Sequence, residues 1–151
     1  MLAVVAACGS GSTSVGDQRT DAAADAGLAV QSDAGHAATF TQIYAALFPE
    51  LTNARCNFCH SMRASDTSNG KLSVGTTQAA AYVALVGPSS SSTECSGMPL
   101  VVPGDPEASL LLLKLIEPPP CGSRMPLGGA ALSEAQLEQV RSWIAAGAKN
   151  D

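Results

Sequence analysis

From Gly9 to Ala38 the chain has hardly a large apolar residue, and from Thr39 onward such residues recur at helical spacing. The first stretch is Gly, Ser, Ala, Asp and Thr, a composition that cannot bury enough surface to offset its ordering entropy. It is expected to be a disordered, flexible tether, with His36 solvated and idle inside it. In "TFTQIYAALFPEL", Phe40, Ile43, Tyr44, Leu47 and Phe48 share one helical face. That pattern predicts a helix ended by Pro49.

Three further helices follow from the same reading. "TTQAAAYVALVG" predicts a second, capped by Thr76 or Thr77 and stopped by Gly87. "GDPEASLLLLKLI" begins with Asp105 as N-cap and Pro106 at the first helical position, a strong start signal. Leu110 to Leu113, Leu115 and Ile116 make it apolar nearly all round, so this single helix is expected to be buried. "LSEAQLEQVRSWIAAGA" carries Ser133 and Gln136 at capping-box spacing, Gly147 as a stop, and Leu137, Val140 and Ile144 as an inner stripe. No run alternates convincingly at period two, so the expected fold class is all-α, with proline- and glycine-rich loops between the helices.

The chain's opening changes the picture from a plain domain to an exported one. "MLAVVAAC" reads as the tail of a signal peptide's apolar segment, far too short to span a bilayer. Val5-Ala6-Ala7-Cys8 resembles the bacterial lipobox, in which the cysteine is diacylated and becomes the mature N-terminus. The Lys/Arg-rich start that usually precedes such a segment is missing, which points to a truncated leader. The expected organisation is therefore a leader over 1–8 ending in a lipidated Cys8, a tether over 9–38 and a folded domain over 39–151.

Composition adds two constraints. Apolar residues make up 46% of the chain, but many are alanine and only six are aromatic. Alanine removes little area from water, so such a core is thin at roughly 25 cal/mol per Å², and a large apolar cofactor would fill it. The net charge is −5, of which residues 1–37 hold −3 (Asp17, Asp21, Asp25 and Asp33 against Arg19). No basic patch results, which argues against nucleic acid as a partner.

The candidate chemistry is in "RCNFCHS". Cys56-x-x-Cys59-His60 is read as a c-type haem attachment site: two thiols three residues apart can add to the two vinyl groups on one edge of a porphyrin. The adjoining His60 then places its imidazole under the iron. A zinc site would need two more ligands, and Cys95 and Cys121 stand 26 positions apart, not at knuckle or ribbon spacing. A thioredoxin-like dithiol would want a βαβ context, and no strands are expected. In an exported protein the two remaining cysteines are expected to form a disulfide. The five cysteines then resolve as one lipidated (Cys8), two thioether-linked to haem (Cys56, Cys59) and two paired (Cys95–Cys121).

For a sixth iron ligand the residues themselves leave two candidates. Met98 and Met125 both precede a proline, which favours extended backbone in a loop, and a thioether suits low-spin haem iron. Met62, two residues after His60, is on the wrong side of the ring.

From about Phe40 to Ala148 the chain resembles the small c-type cytochrome domains of bacterial exported lipoproteins, of the myxobacterial type. The likeness rests on the F-x-x-I-Y helix before Cys56-x-x-Cys59-His60, on "VVPGDPEASLLLLKL", and on "CGSRMPLGGAALSEAQLEQVRSWIAAGA". It implies a cytochrome c-like helical domain wrapped around one covalently attached haem c. In that family the Met of R-M-P-x-G-G is the second axial ligand, which carries over to Met125 and leaves Met98 as core filling. The resemblance implies an electron carrier rather than an enzyme, lipid-anchored in the cell envelope, facing periplasm or cell surface. Its partners would be redox proteins of the envelope. Trp143 would pack on the haem edge or anchor the last helix, and Arg124 would pair with a propionate or be a solvated loop charge. The competing readings are a haem peroxidase or gas-binding domain with an open distal site, and a zinc-stabilised Cys/His domain.

Overall fold

Thr39 opens the first helix with a reciprocal cap. In this computed structural model, which describes residues 36–49, 51–61 and 72–151, the Thr39 hydroxyl accepts from the Gln42 backbone N–H at 3.2 Å. The Gln42 side chain accepts from the Thr39 N–H at 3.0 Å. Two donors that a helix start would leave orphaned are satisfied in this way. Helix α1, Phe40–Leu47, buries Phe40, Ile43 and Leu47, and Phe48 follows into the core. Pro49, with no N–H and a ring that disfavours helix in the residue before it, ends the element. The short helix α2, Cys56–His60, comes next.

Helix α3, Gln78–Leu85, is capped by Thr77 rather than Thr76, the hydroxyl accepting from the Ala80 N–H at 3.2 Å. Gly75 just before it has φ +66, and a Cβ there would lie 2.7 Å from the Ala80 Cβ, so only glycine fits this entry. The short helix α4, Leu110–Leu113, and the long α5, Glu134–Ala145, complete the α-helices of the described residues. Ser133 and Gln136 form the expected capping box on α5. At its other end Ala148 N–H reaches Trp143 O and Gly147 N–H reaches Ile144 O, both at 2.9 Å. This is a Schellman closure with Gly147 at φ +98.

Five of the six aromatic side chains form one cluster centred on Phe40. Its ring centroid lies 5.1 Å from Trp143, 5.3 Å from Tyr82, and 6.4 Å from both Tyr44 and Phe48. Such pairs contribute about 0.5–1.5 kcal/mol each beyond their area, so a sparse aromatic supply is concentrated where α1, α3 and α5 meet. Trp143 is 1% exposed and donates its indole N–H to Lys149 O at 2.8 Å, which makes it the anchor of α5. The last residues fold back over α1: the Asp151 carboxylate accepts from Phe40 N–H, and its backbone oxygen accepts from Thr41 N–H.

Two stretches depart from the sequence pattern. The helix expected to run unbroken from Pro106 is split. Pro106–Ala108 forms a single 3₁₀ turn capped by Asp105, and α4 starts afresh after Ser109. Ser109, fully buried in extended conformation, donates its hydroxyl to Asp105 O at 2.7 Å and accepts from Val102 N–H at 2.9 Å. A serine that bonds nearby backbone competes with the helix ladder, and here it wins. The first amides of α4 turn outward, Leu110 N–H to Pro99 O and Leu111 N–H to Leu100 O. Second, the loop "GPSSSSTECSGMPLVVPGDP" is partly paired, with bridges Val86–Val101, Ser89–Pro99 and Val102–Asp105. These are isolated bridges, and the described residues contain no longer strand. Leu110, Leu112 and Leu115 are buried as expected, whereas Leu111, Leu113 and Ile116 are only half-buried.

Cys8, residues 9–35 of the expected tether, and Met62 lie outside the described residues. His36 is exposed. No helix among the described residues is long and apolar enough to cross a membrane.

Candidate functional site

The site begins where α1 hands the chain to α2. The Thr52 hydroxyl donates to Pro49 O and Leu47 O and accepts from Arg55 N–H at 3.1 Å, which turns the chain back on itself. Arg55 then takes a left-handed conformation (φ 45, ψ 44) as the residue before α2. For a residue with a Cβ this conformation costs about 1–3 kcal/mol, and the tight reversal imposes it. The Arg55 guanidinium lies over the Phe58 ring, 5.5 Å from its centroid, and Asn57 N–H donates to Phe48 O at 3.0 Å. Thus α2 is docked on the end of α1.

Within α2, Cys56, Cys59 and His60 stand at i, i+3 and i+4, which places all three on one helical face. Phe58 is on the opposite side and 65% exposed. The Cys56 side chain packs against the hydrophobic core, while Cys59 is exposed. Burial is the main cause that pushes the Cys56 thiol up to about 11, so it stays protonated. A redox dithiol works through a thiolate whose pKa is lowered at a helix start, and Cys56 goes the other way.

His60 is held from two directions by the segment that returns at Leu72. Its backbone oxygen accepts from Val74 N–H at 2.7 Å, and its ring Nδ1 lies 3.2 Å from Leu72 O. A carbonyl can only accept, so Nδ1 carries the proton in this bond and the Nε2 lone pair is left for a ligand role. Burial lowers the His60 pKa, which favours that neutral ring.

Cys95 and Cys121 form a disulfide with Cα atoms 5.6 Å apart. It uses both thiols that a zinc site would need, and among the described residues no group of three or more His, Cys, Asp or Glu could hold a metal ion. Replacing both cysteines with serine is expected to lower the unfolding free energy by roughly 3 kcal/mol for a loop of this size. Urea unfolding of the two forms checks this, and coincident curves would contradict it.

The two methionines of the M-P-L loops differ in surroundings. Met98 sits in the paired loop, its O accepting from Ser90 N–H and its sulfur 3.8 Å from Cys121 Sγ. It packs on the disulfide. Met125 borders the same hydrophobic core as Cys56 and Leu72, and its N–H donates to Lys114 O at 2.7 Å. Arg124 is not a solvated charge: at 19% exposure it pairs with Glu117 at 2.9 Å. Its guanidinium also donates to Met125 O and Gly129 O, bracing the loop on both sides of Met125.

Leu72 O, Lys114 and the bracing role of Arg124 have no signature in the sequence. A backbone carbonyl carries no residue-type signal, and the only hint at Lys114 is that it is the one charge in the run Leu110–Ile116. No family model, curated protein or solved structure matches this chain.

Proposed function

We propose that this chain is a mono-haem c-type cytochrome, an electron-transfer protein rather than an enzyme, tethered to a bacterial envelope membrane. The observation that carries the reading is α2, where Cys56, Cys59 and His60 share a face and the Nδ1 bond to Leu72 O leaves Nε2 available. These residues fit a covalently held haem c. Protonated Cys56, seated against the core, and exposed Cys59 would provide the two thioether links. His60 would be one iron ligand, its ring orientation set by Leu72 O and its backbone held by the bond from Val74 N–H. Met125, held at the core margin, would be the other. When bound, the haem supplies the redox chemistry, taking up and releasing one electron between Fe(III) and Fe(II). The protein's part would be to hold the two ligands, His60 through Leu72 and Val74 and Met125 at the core margin, so that both would be committed to the iron rather than to a substrate. The cytochrome c-like all-α fold belongs to the same proposal, supported by the helices α1 to α5.

A visible spectrum of protein matured with the covalent haem-attachment machinery tests the proposal. A low-spin spectrum with thioether-linked haem supports the carrier. A high-spin spectrum points to a domain with an open distal site, and the absence of haem overturns the assignment.

The tether reading completes the proposal: Cys8 is diacylated, and the domain meets redox partner proteins of the envelope while standing off the membrane on residues 9–38. In the full chain expressed behind a complete leader, Cys8→Ala is expected to move most of the protein from the membrane to the soluble fraction. If the variant stays with the membrane, the anchor is elsewhere.

A further inference from the structure

We propose that Lys114 is the positioning residue for Met125, closing the loop segment from Cys121 to Met125 from both ends; this rests on Met125 being an iron ligand. The loop that presents Met125 begins Glu117-Pro118-Pro119-Pro120. Three prolines have no N–H to donate, so this stretch cannot tie itself down with backbone amides. It is fixed from outside. The Lys114 backbone oxygen accepts from Met125 N–H at 2.7 Å, and the Lys114 ammonium donates to Cys121 O at 2.7 Å. One residue therefore holds two points four positions apart. Its own place is set by α4, whose Leu110 O accepts from Lys114 N–H at 2.9 Å.

Two neighbours complete the clamp. Cys121 is joined to Cys95, and the adjacent Glu94 directs its carboxylate toward the same spot. A Cβ at Gly122 would collide with that carboxylate and lie 3.4 Å from the Lys114 ammonium. Gly122, at φ +54, leaves the space that both charged ends use. A charge-assisted donor to a carbonyl is among the stronger hydrogen bonds, and removing the ammonium leaves Cys121 O without it. The backbone bond to Met125 would then rest on a loop held at Cys121 by the disulfide alone, and the sulfur would spend more time off the iron.

The test uses the holoprotein and Lys114→Met, which keeps the apolar stem and deletes the donors, beside Lys114→Arg, which restores them. Haem retention after acid–acetone extraction, the near-infrared Met–Fe(III) charge-transfer band and the rate of cyanide binding are read for each. Lys114→Met is expected to keep its haem, weaken the band and bind cyanide about ten-fold faster, in line with loss of one charged hydrogen bond. Lys114→Arg is expected to recover most of the band and the slow rate. If Lys114→Met matches the unaltered protein in band and rate, or if Lys114→Arg is as defective as Lys114→Met, Lys114 does not position Met125. If the unaltered protein itself lacks covalent haem or the band, the ligand reading fails and this role falls with it.

Discussion

Replacing Cys56 and Cys59 together with alanine is expected to abolish covalent haem attachment altogether. The unaltered protein should keep its haem on the polypeptide through acid–acetone extraction, and the double variant should release all of it. The expectation rests on the short helix Cys56–His60, which sets both sulfurs on one face with His60 beside them. Each single variant should retain a haem on one thioether, because the two proposed links would form at separate sulfurs. The core itself should survive the double change. Cys56 touches the hydrophobic core only from its margin, Cys59 is exposed, and neither belongs to the aromatic cluster around Phe40. Loss of haem without loss of helical circular dichroism would therefore separate attachment from folding. Haem that is extractable from the unaltered protein would end the cytochrome assignment.

The second large effect is expected at Met125. Met125→Ala should leave the haem attached, since the proposed attachment is through Cys56 and Cys59. It should open a coordination position, turn the spectrum high-spin or water-ligated, and allow rapid binding of cyanide or CO. The midpoint potential should fall by on the order of a tenth of a volt or more, within the ~0.8 V span that axial ligands command, because the soft thioether favours the reduced iron. Met98→Ala should do neither. Met98 is tied by Ser90 N–H and packs its sulfur on Cys121, so its loss removes loop packing only. A spin-state change in Met98→Ala with a silent Met125→Ala would reverse the choice between the two loops. Arg124 adds a graded control. Its bonds to Met125 O, Gly129 O and Glu117 hold the loop backbone, so its loss should loosen the thioether without removing it.

Much of this protein was legible in its residues because the relevant signals are local. The capping box at Ser133 and Gln136, the apolar stripe of α5 and the stop at Gly147 lie within a few turns of one another, and helix geometry alone turns them into an element. The same holds for α1 up to Pro49. The C-x-x-C-H spacing and the pairing of Cys95 with Cys121 were also accessible, the second by counting thiols rather than by geometry. What the residues left open depends on partners distant in the chain. The leucine run after Asp105 has every local mark of one helix, yet Ser109 exchanges its ladder bonds for Val102 and Asp105, and the amides of α4 turn to Pro99 and Leu100. The proton on His60 Nδ1 is assigned by a carbonyl twelve positions on, and Met125 is held by the backbone of Lys114. A backbone oxygen looks alike at every residue. Which one meets a given ring or amide is decided only when the helices pack, and so the residue types of the site belong to the sequence while their orientation belongs to the tertiary structure.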